Sequence, residues 1–270
     1  MNILKKQIAP LSDKAWEEII DQSTEIFKIY LTARNFIDID GPNGLEYGSV
    51  STGRLVPQKG KNQNGVNYGL REVLPLIEIR KPFELDIWEM DNVDRGAKDV
   101  DLDTVVEAAK EVALFEENLI YKGLKEAGVD GIEKSTIYPK VTIPKDSNRL
   151  LKVIGEQVMK FSKNGVEGPF TLIVNDDLWQ EIASLDNGYP VVKQLEEVIN
   201  VKVVVNHGAF NSYLISERGG DFELSLGQDI SIGYDGHDSK KVKLYFTESF
   251  TFRVLGPEAV IVLENSNEKK

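Results

Sequence analysis

Apolar residues recur at helical spacing in two long stretches of the chain. In the first, which follows Ser12, they stand three or four positions apart with charged residues between them, and serine is a common helix cap. In the second, between Asp101 and Ala127, the spacing is more regular and stops at Gly128, a residue typical of helix ends. The pattern predicts two long amphipathic helices.

Strict alternation of apolar and polar residues predicts strands in the middle and in the tail. One strand is predicted over 77–87, bent at Pro82, and further alternating segments cover 222–232 and 242–254. Glu248 interrupts the apolar face of the last segment. A carboxylate at such a position must be paired, hydrogen-bonded or exposed, so we predict a structural role for it.

Residues 50–74 are polar and rich in glycine, with short β-like pieces around Asn64-Gly65. Because Asn-Gly is a strong hairpin signal, this segment is predicted to be a protruding β-hairpin. A two-stranded ribbon buries too little surface to be stable alone in water. We therefore expect another subunit to support it.

Between residues 131 and 220 the chain alternates between helical and strand patterns, which predicts a compact α/β subdomain. The predicted helices cover 150–161, 177–184 and 191–199, and the predicted strands cover 170–174, 201–205 and 213–216.

Composition and charge narrow the function classes. The 270 residues include 44 Asp and Glu against 32 Lys and Arg, a net charge of −12, which gives no general attraction to nucleic acid or to anionic membranes. The absence of Cys removes disulfides and thiol chemistry and fits a reducing compartment. No apolar run is long enough for a signal peptide or a membrane span. A cytoplasmic location is therefore expected.

The residues that carry chemistry form no catalytic set. His207 and His237 stand apart from other ligand-like residues, and no nucleophile or phosphate-loop motif occurs. Asp99, Asp101 and Asp103 resemble the start of a calcium loop but lack its glycine and its bidentate glutamate, so they are better explained as a helix N-terminus. We predict neither enzymatic activity nor a metal site.

Trp88 is expected on the polar face of its strand, together with Arg80. Tryptophan and arginine are enriched at interfaces, so a subunit contact is the first interpretation. The alternative is a stacking platform for a planar ligand.

Six blocks, in order along essentially the whole chain, are similar to those of encapsulin shell proteins, a family also catalogued as linocin-type bacteriocins. The blocks are APLSDKAWEEI, EIFKIYLTARNFIDIDGPNG, LPLIEIRKPFELDIWEMDNVDRG, FSKNGVEGPFTLIVN, SERGGDFELSLGQDISIGYDG and FTESFTFRVLGPEAVIVL. The resemblance implies an α+β fold like that of Hong Kong 97-type phage major capsid proteins. It implies a peripheral domain of residues 1–48, 75–133 and 219–270, an extended loop of residues 49–74 and an axial domain of residues 134–218.

The resemblance also implies a function. Members of the family assemble into icosahedral shells, here expected to have 60 subunits, that enclose a cargo enzyme carrying a C-terminal targeting peptide. Typical cargo is a ferritin-like iron-storage protein or a dye-decolourising peroxidase. The alternative is a phage or prophage major capsid protein that packages DNA, against which the acidic balance argues.

Two sites follow from the resemblance. A cargo-peptide groove on the inner surface is expected at Phe27, Leu31, Arg34, Asp38, Ile39, Asp229 and Ile230. The competing interpretation puts Phe27 and Leu31 in the core and pairs Arg34 with Asp38. A fivefold pore loop is expected at Leu185, Asp186, Asn187, Gly188 and Tyr189, where a ring of Asp186 carboxylates would favour cations. No cofactor is required, although a flavin stacked on Trp88 near Arg80 is a further hypothesis.

Overall fold

The computed structural model describes residues 3–58, 66–144, 146–184, 189–208 and 211–265. Both predicted long helices are present. Helix α1 covers Asp13–Tyr30, and the Ser12 hydroxyl accepts a hydrogen bond from the Ala15 amide at 3.2 Å, which confirms the predicted cap. Helix α3, the spine helix, covers Asp103–Lys122 and packs against α1.

The spine helix ends five residues earlier than predicted. Gly123 follows it with a φ of 82°, and the chain then forms a two-residue ribbon, β5 (Gly123–Leu124) with β6 (Val129–Asp130). A Cβ on Gly123 would lie 2.4 Å from the Val129 carbonyl oxygen. The backbone therefore leaves the helix where only glycine fits, although apolar residues continue at helical spacing beyond it.

The first sheet is built around one long strand, β13 (Lys241–Val254). It pairs with β4 (Ile77–Asp86) along one edge. Along its other edge it pairs first with β12 (Ser231–His237) and then, nearer its C-terminal end, with β11 (Phe222–Leu226). All three pairings are antiparallel. Strand β1 (Asp38–Asp40) extends the sheet in parallel with β11.

The prediction that the strand at 77–87 continues to Trp88 is wrong. Strand β4 ends at Asp86, whose carboxylate accepts hydrogen bonds from the amides of Trp88 at 2.8 Å and Glu89 at 3.2 Å. Aspartate is a strong helix cap, so the next residues form α2 (Ile87–Arg95), and Trp88 lies in its first turn with 72% of its surface exposed.

The second sheet has the strand order β7 (Val141–Ile143), β14 (Val260–Asn265), β10 (Ser212–Ser216), β8 (Phe170–Val174) and β9 (Val201–Val205). Three helices pack against this sheet, namely α5 (Ser147–Lys163), α6 (Asp176–Ser184) and α7 (Val191–Gln194). Helix α7 continues as a wider helical turn to Ile199. Short α4 (Ile132–Ser135) connects the spine helix to this sheet.

Strand β14, from the segment predicted to belong to the peripheral domain, lies in the second sheet. It pairs with β10 and β7 inside the second sheet, and its residues Val260 to Leu263 are fully buried. A continuous apolar run is typical of a central strand covered on both faces, which explains its position. The domain boundaries stay predictions.

A projecting two-stranded arm lies outside both sheets. It consists of β2 (Ser49–Pro57) paired antiparallel with β3 (Gly69–Pro75), as the hairpin prediction required. The predicted Asn64-Gly65 turn lies outside the described residues. Five apolar side chains on the arm or next to it are between 49% and 60% exposed: Leu55, Val56, Tyr68, Leu70 and Val73.

Two apolar clusters form the interior. The larger one covers the second sheet and also includes Phe222, Leu224 and Phe250 of the first sheet, so it joins the two sheets. The smaller one lies between α1, the first half of α3 and the strands β4, β12 and β13.

Candidate functional site

A groove runs along the last turns of α1. Five of the seven residues predicted for it line it together, namely Phe27, Leu31, Arg34, Asp229 and Ile230. They are joined there by Thr24, Lys28 and Asn35, and the groove has a volume of about 320 Å³. Helix α1 supplies one wall, and the loop between β11 and β12 supplies the other.

A second depression of about 190 Å³ continues the groove toward the N-terminus of α1. It shares Thr24, Phe27 and Ile230 with the first and adds Ile20, Ile232 and Phe246, with Lys6 at its rim. The Phe27 ring packs edge-on against the Phe246 ring, 5.4 Å between centroids, so Phe27 is anchored while part of it stays accessible. The resulting elongated, mostly apolar trough suits an extended peptide.

Asp38 and Ile39 do not line this groove. They lie in β1, where the Asp38 carboxylate accepts a hydrogen bond from the Gly220 amide at 2.6 Å. Ile39 is paired with Leu224 in the sheet register and is 45% exposed. The alternative interpretation that Arg34 pairs with Asp38 is also wrong, because other carboxylates bind Arg34.

Arg34 holds three carboxylates at once. Its Nε and Nη2 donate to the two oxygens of Glu116 at 2.8 and 2.5 Å. Nη2 also donates to Glu248 Oε1 at 2.7 Å, and Nη1 donates to Asp229 Oδ1 at 3.0 Å. Glu116 and Glu248 are completely buried, whereas the Asp229 side chain is 47% exposed. Two members of this group, called the Arg34 cluster below, line the groove: Arg34 and Asp229.

Burial and the neighbouring charges shift the pKa values of Glu248 and Arg34 in the Arg34 cluster. Burial, and then the charge of Glu116, raise the pKa of Glu248 well above its usual value, against the opposing charge of Arg34. Burial alone would lower the pKa of Arg34, but the hydrogen bond and charge of Glu116, with the other two carboxylates, raise it. The predicted structural role of Glu248 matches this geometry.

Glu117, next to Glu116 on the spine helix, fixes the turn that carries Arg34. It accepts hydrogen bonds from the Thr32 hydroxyl at 2.7 Å, the Ala33 amide at 2.8 Å and the Asn206 side chain at 2.6 Å. Burial raises its pKa to about 7, although the bonds from Ala33 and Thr32 favour the charged form. The two glutamates thus hold one wall of the groove against the spine helix.

Sequence reasoning missed both spine-helix glutamates. The signal was present, because Glu116 and Glu117 interrupt an otherwise apolar part of the predicted helix, as Glu248 interrupts its strand. Two adjacent carboxylates that are almost completely buried require partners. Only the fold shows that these partners come from the turn after α1.

Trp88 and Arg80 do not form one site within a subunit. Arg80 and Asp86 are six positions apart along β4, which at roughly 3.3 Å per residue is about 20 Å. The Arg80 guanidinium lies 4.2 Å from the centre of the Tyr245 ring, whereas Trp88 is on α2 beyond the end of the strand. Flavin stacking on Trp88 stays a prediction.

Of the predicted pore loop, only Tyr189 is among the described residues. Its hydroxyl donates to Glu197 at 2.5 Å, and its carbonyl accepts from Gln194 at 2.7 Å. Residues 185–188, which include Asp186, lie outside the described part of the chain. The pore itself therefore stays a prediction.

The two histidines of the chain each contact one polar side chain. His207 Nδ1 is 2.7 Å from Asp176, and His237 Nδ1 is 2.5 Å from the Tyr234 hydroxyl. Among the described residues, no three His, Asp or Glu side chains are grouped as a metal site would need. In the same part of the chain, no helix is both long and apolar enough to cross a membrane.

Two solved structures share this architecture. A virus-like particle from Pyrococcus furiosus is similar over 93% of this chain and 98% of its own, with a TM-score of 0.65 and 17% sequence identity. The capsid of Myoviridae phage XM1 is similar over 86% and 90%, with a TM-score of 0.54 and 12% identity. The spine helix, the two sheets and the projecting arm thus define a subunit with the phage-capsid fold.

The sequence comparisons give the family. The profile described as "Encapsulating protein for peroxidase" matches residues 1–251. Type 1 encapsulin shell proteins of Mycobacterium tuberculosis and Rhodococcus erythropolis are 35% and 36% identical, over 98% and 97% of this chain and all of each relative. A ferritin-like-encapsulin shell fusion protein of Pyrococcus furiosus is 24% identical over 76% of this chain and 57% of its own. The chain belongs to the encapsulin shell protein family.

Proposed function

We propose that this chain is the shell subunit of an icosahedral compartment that encloses a cargo protein and catalyses no reaction itself. The observation that carries the proposal is the capsid-type fold with an arm whose apolar side chains are exposed in the single subunit. Burying such a patch against a neighbouring copy is the usual solution, because large exposed apolar patches are rare in monomers. The family membership supports the same conclusion.

We further propose that the shell has 60 subunits and is located in the cytoplasm. Size-exclusion chromatography with light scattering, followed by negative-stain microscopy, tests assembly on the purified chain. Closed particles of uniform size with the mass of about 60 chains support it. A monodisperse monomer or dimer over a range of salt and pH would overturn it, and closed particles of another mass would correct the subunit number alone.

The cargo is proposed to be a ferritin-like iron-storage protein or a dye-decolourising peroxidase held by its C-terminal targeting peptide. The description of the matching family names a peroxidase, and one relative is named as a fusion with a ferritin-like protein. Mass spectrometry of shells purified from the native cell identifies the cargo. Shells that hold DNA instead of protein would favour the alternative of a phage capsid.

The groove along α1 is the proposed docking site for the targeting peptide. Its accessible apolar residues, Phe27 and Ile230, lie beside the charged residue Asp229. Ile230→Asp is expected to leave assembly intact and to abolish co-purification of cargo. Ile29→Asp, on the exposed face of α1 outside the groove, is the matched control and is expected to retain cargo. Retention of cargo by Ile230→Asp would exclude this groove.

A further inference from the structure

One buried carboxylate bridges the turn after α1 and the second sheet. Glu117 of the spine helix is only 1% exposed. Its Oε1 accepts from the Ala33 amide at 2.8 Å and its Oε2 from the Thr32 hydroxyl at 2.7 Å, both in the turn after α1. The same Oε2 accepts from the side-chain amide of Asn206 at 2.6 Å, and Asn206 directly follows β9 of the second sheet. The turn and the second sheet therefore meet at Glu117.

The loop of residues 206–208, called the β9 loop below, is held by the side chain of Asn206. The Asn206 Oδ1 accepts from the Gly208 amide at 2.8 Å, while Nδ2 donates to Glu117. The β9 loop also lies directly on the spine helix, because a Cβ on Gly208 would stand 2.4 Å from Leu114 Cδ2. A change at Glu117 is therefore transmitted through Asn206 to the backbone of the loop.

The buried hydroxyl of Tyr121 lies one turn further along the spine helix. Within the described part of the chain it makes no well-directed hydrogen bond, although the side chains of Thr32 and Asn206 lie beside it. A threonine hydroxyl has one proton to donate, and Thr32 donates it to the carboxylate of Glu117. A proton on Glu117 would reverse this bond, so that Glu117 donates to Thr32 and Thr32 donates to Tyr121. The protonated form thus pairs a buried oxygen that the charged form leaves unpaired.

The surroundings of Glu117 also favour the protonated form. Its titratable neighbours are Glu116 and Tyr121 on the spine helix, Tyr213 on β10, Arg34 in the turn and His207 in the β9 loop. Arg34 binds other carboxylates and His207 contacts Asp176, and none of the described ion pairs includes Glu117. Burial raises the pKa of Glu117 to about 7, and the charge of Glu116 acts in the same direction, against the three donors.

We propose that Glu117 is a pH-dependent latch of the subunit: with a proton on Glu117 the β9 loop is held to the turn after α1, and without that proton the loop opens more often. The sign follows because the closed latch binds the proton more tightly than the open one. A fall in pH from 8 to 6 therefore tightens the junction between the turn and the second sheet. The latch adds a regulatory property to the proposed shell and is independent of the groove.

Hydrogen–deuterium exchange of assembled shells, measured by mass spectrometry at pH 6 and pH 8, tests the latch. Each rate is divided by the intrinsic exchange rate at that pH, and the reporters are peptides that contain Ala33 or Gly208. Between these pH values the protection of the reporters should fall about tenfold, the ratio that follows from a pKa of about 7 in the closed form and 4.5 in the open form. Peptides of α2 are the reference and should keep their protection.

Three variants locate the proton. Glu117→Gln has no titratable group and should show the same protection at both pH values. Tyr121→Phe lacks the buried hydroxyl, so its protection should be lower than that of wild type at pH 6 and equal to it at pH 8. Glu107→Gln removes an exposed carboxylate from the same helix and should behave as wild type.

Equal protection of the wild-type reporters at pH 6 and pH 8 overturns the latch. A tenfold fall that persists in Glu117→Gln also overturns it, because another group, such as His207, would then be the one that titrates. A fall that includes α2 would mean that the whole subunit loosens, and a Tyr121→Phe variant with the wild-type ratio would exclude the reversed Thr32 bond on which the latch depends. If Glu117→Gln does not fold, the wild-type ratio and Tyr121→Phe decide.

Discussion

At the scale of single residues, the Arg34 cluster stabilises the subunit only as a complete set. Arg34→Met would leave Glu116 and Glu248 buried without a cation, and removing one partner of a buried ion pair costs about 3 to 5 kcal/mol. We expect the variant to lose that much free energy of unfolding, or to be insoluble, in denaturant titrations at pH 7. Adding Glu116→Gln and Glu248→Gln should restore most of it. A single variant as stable as wild type would contradict the cluster's role.

Glu117 makes stability depend on pH with a defined sign. Its pKa of about 7 in the folded chain exceeds the usual 4.5, so the folded state prefers the protonated form. Its contribution to stability is therefore complete below pH 4.5 and is lost as the pH rises through 7, by roughly 3 kcal/mol. Wild type should therefore lose about that much stability relative to Glu117→Gln between pH 4.5 and pH 8, as measured in denaturant titrations at one subunit concentration. Parallel curves would show that Glu117 keeps an ordinary pKa.

The candidate groove shows which residues a sequence can reveal. Phe27, Leu31 and Ile230 were predictable because their apolar character and the family resemblance pointed to the same wall. Asp38 was predicted beside them from the resemblance, but its carboxylate accepts from the Gly220 amide away from the cavity lining, and its contact with a peptide stays a prediction. The buried partners of Arg34 come from positions more than 80 residues away, which no local pattern encodes.

At the scale of elements, the end of the spine helix is set by backbone geometry. Gly123 has a positive φ and no room for a side chain, whereas Gly128 has a positive φ and open space around it. Gly128→Ala should cost about 1 kcal/mol for the backbone conformation alone. Gly123→Ala should cost clearly more, because the Cβ would also clash with the β6 backbone. Equal losses of stability for the two variants, in thermal or denaturant unfolding, would show that a small backbone shift relieves the close approach at Gly123.

Element types were predicted better than their ends and partners. The nearly continuous apolar run from Phe170 to Val174 predicted β8 with the bounds that the structure gives, and all five residues are buried. Helix α2 was missed because the alternation of β4 runs up to Asp86, and the cap at that residue depends on the local backbone. The sheet that receives β14 depends on distant pairing with β7 and β10, which periodicity does not report.

The arm is expected to act in assembly and not in folding of the subunit. Val56 and Leu70 are directly opposite in the ribbon and are 49% and 59% exposed. Val56→Glu with Leu70→Glu should therefore leave the circular dichroism of the subunit unchanged while light scattering shows loss of the shell. The matched variant Val56→Ile with Leu70→Met keeps the apolar surface and should assemble. Shells formed by the glutamate variant would show that the arm is not buried between subunits.

At the scale of the whole molecule, one apolar core joins the two sheets, so the subunit can present the arm and the groove in a fixed relation. Residues of β11 and β13 pack in the same cluster as β8, β10 and β14. The groove lies at the other cluster, where Phe27 meets Phe246. The proposed subunit contacts of the arm and the proposed cargo docking at the groove thus use different parts of the subunit, so variants are expected to separate the two.

The net charge of −12 on each chain sets how a shell responds to salt. Like-charged copies repel one another, and the screening length falls from about 30 Å at 0.01 M to about 3 Å at 1 M salt. Apolar contacts such as those expected of the arm are not weakened by screening. Raising NaCl at pH 8 should therefore increase the denaturant concentration at which light scattering reports dissociation. The denaturant is urea, which is uncharged and leaves the ionic strength to the NaCl alone. Dissociation promoted by NaCl would mean that ion pairs, not apolar contacts, hold the subunits together.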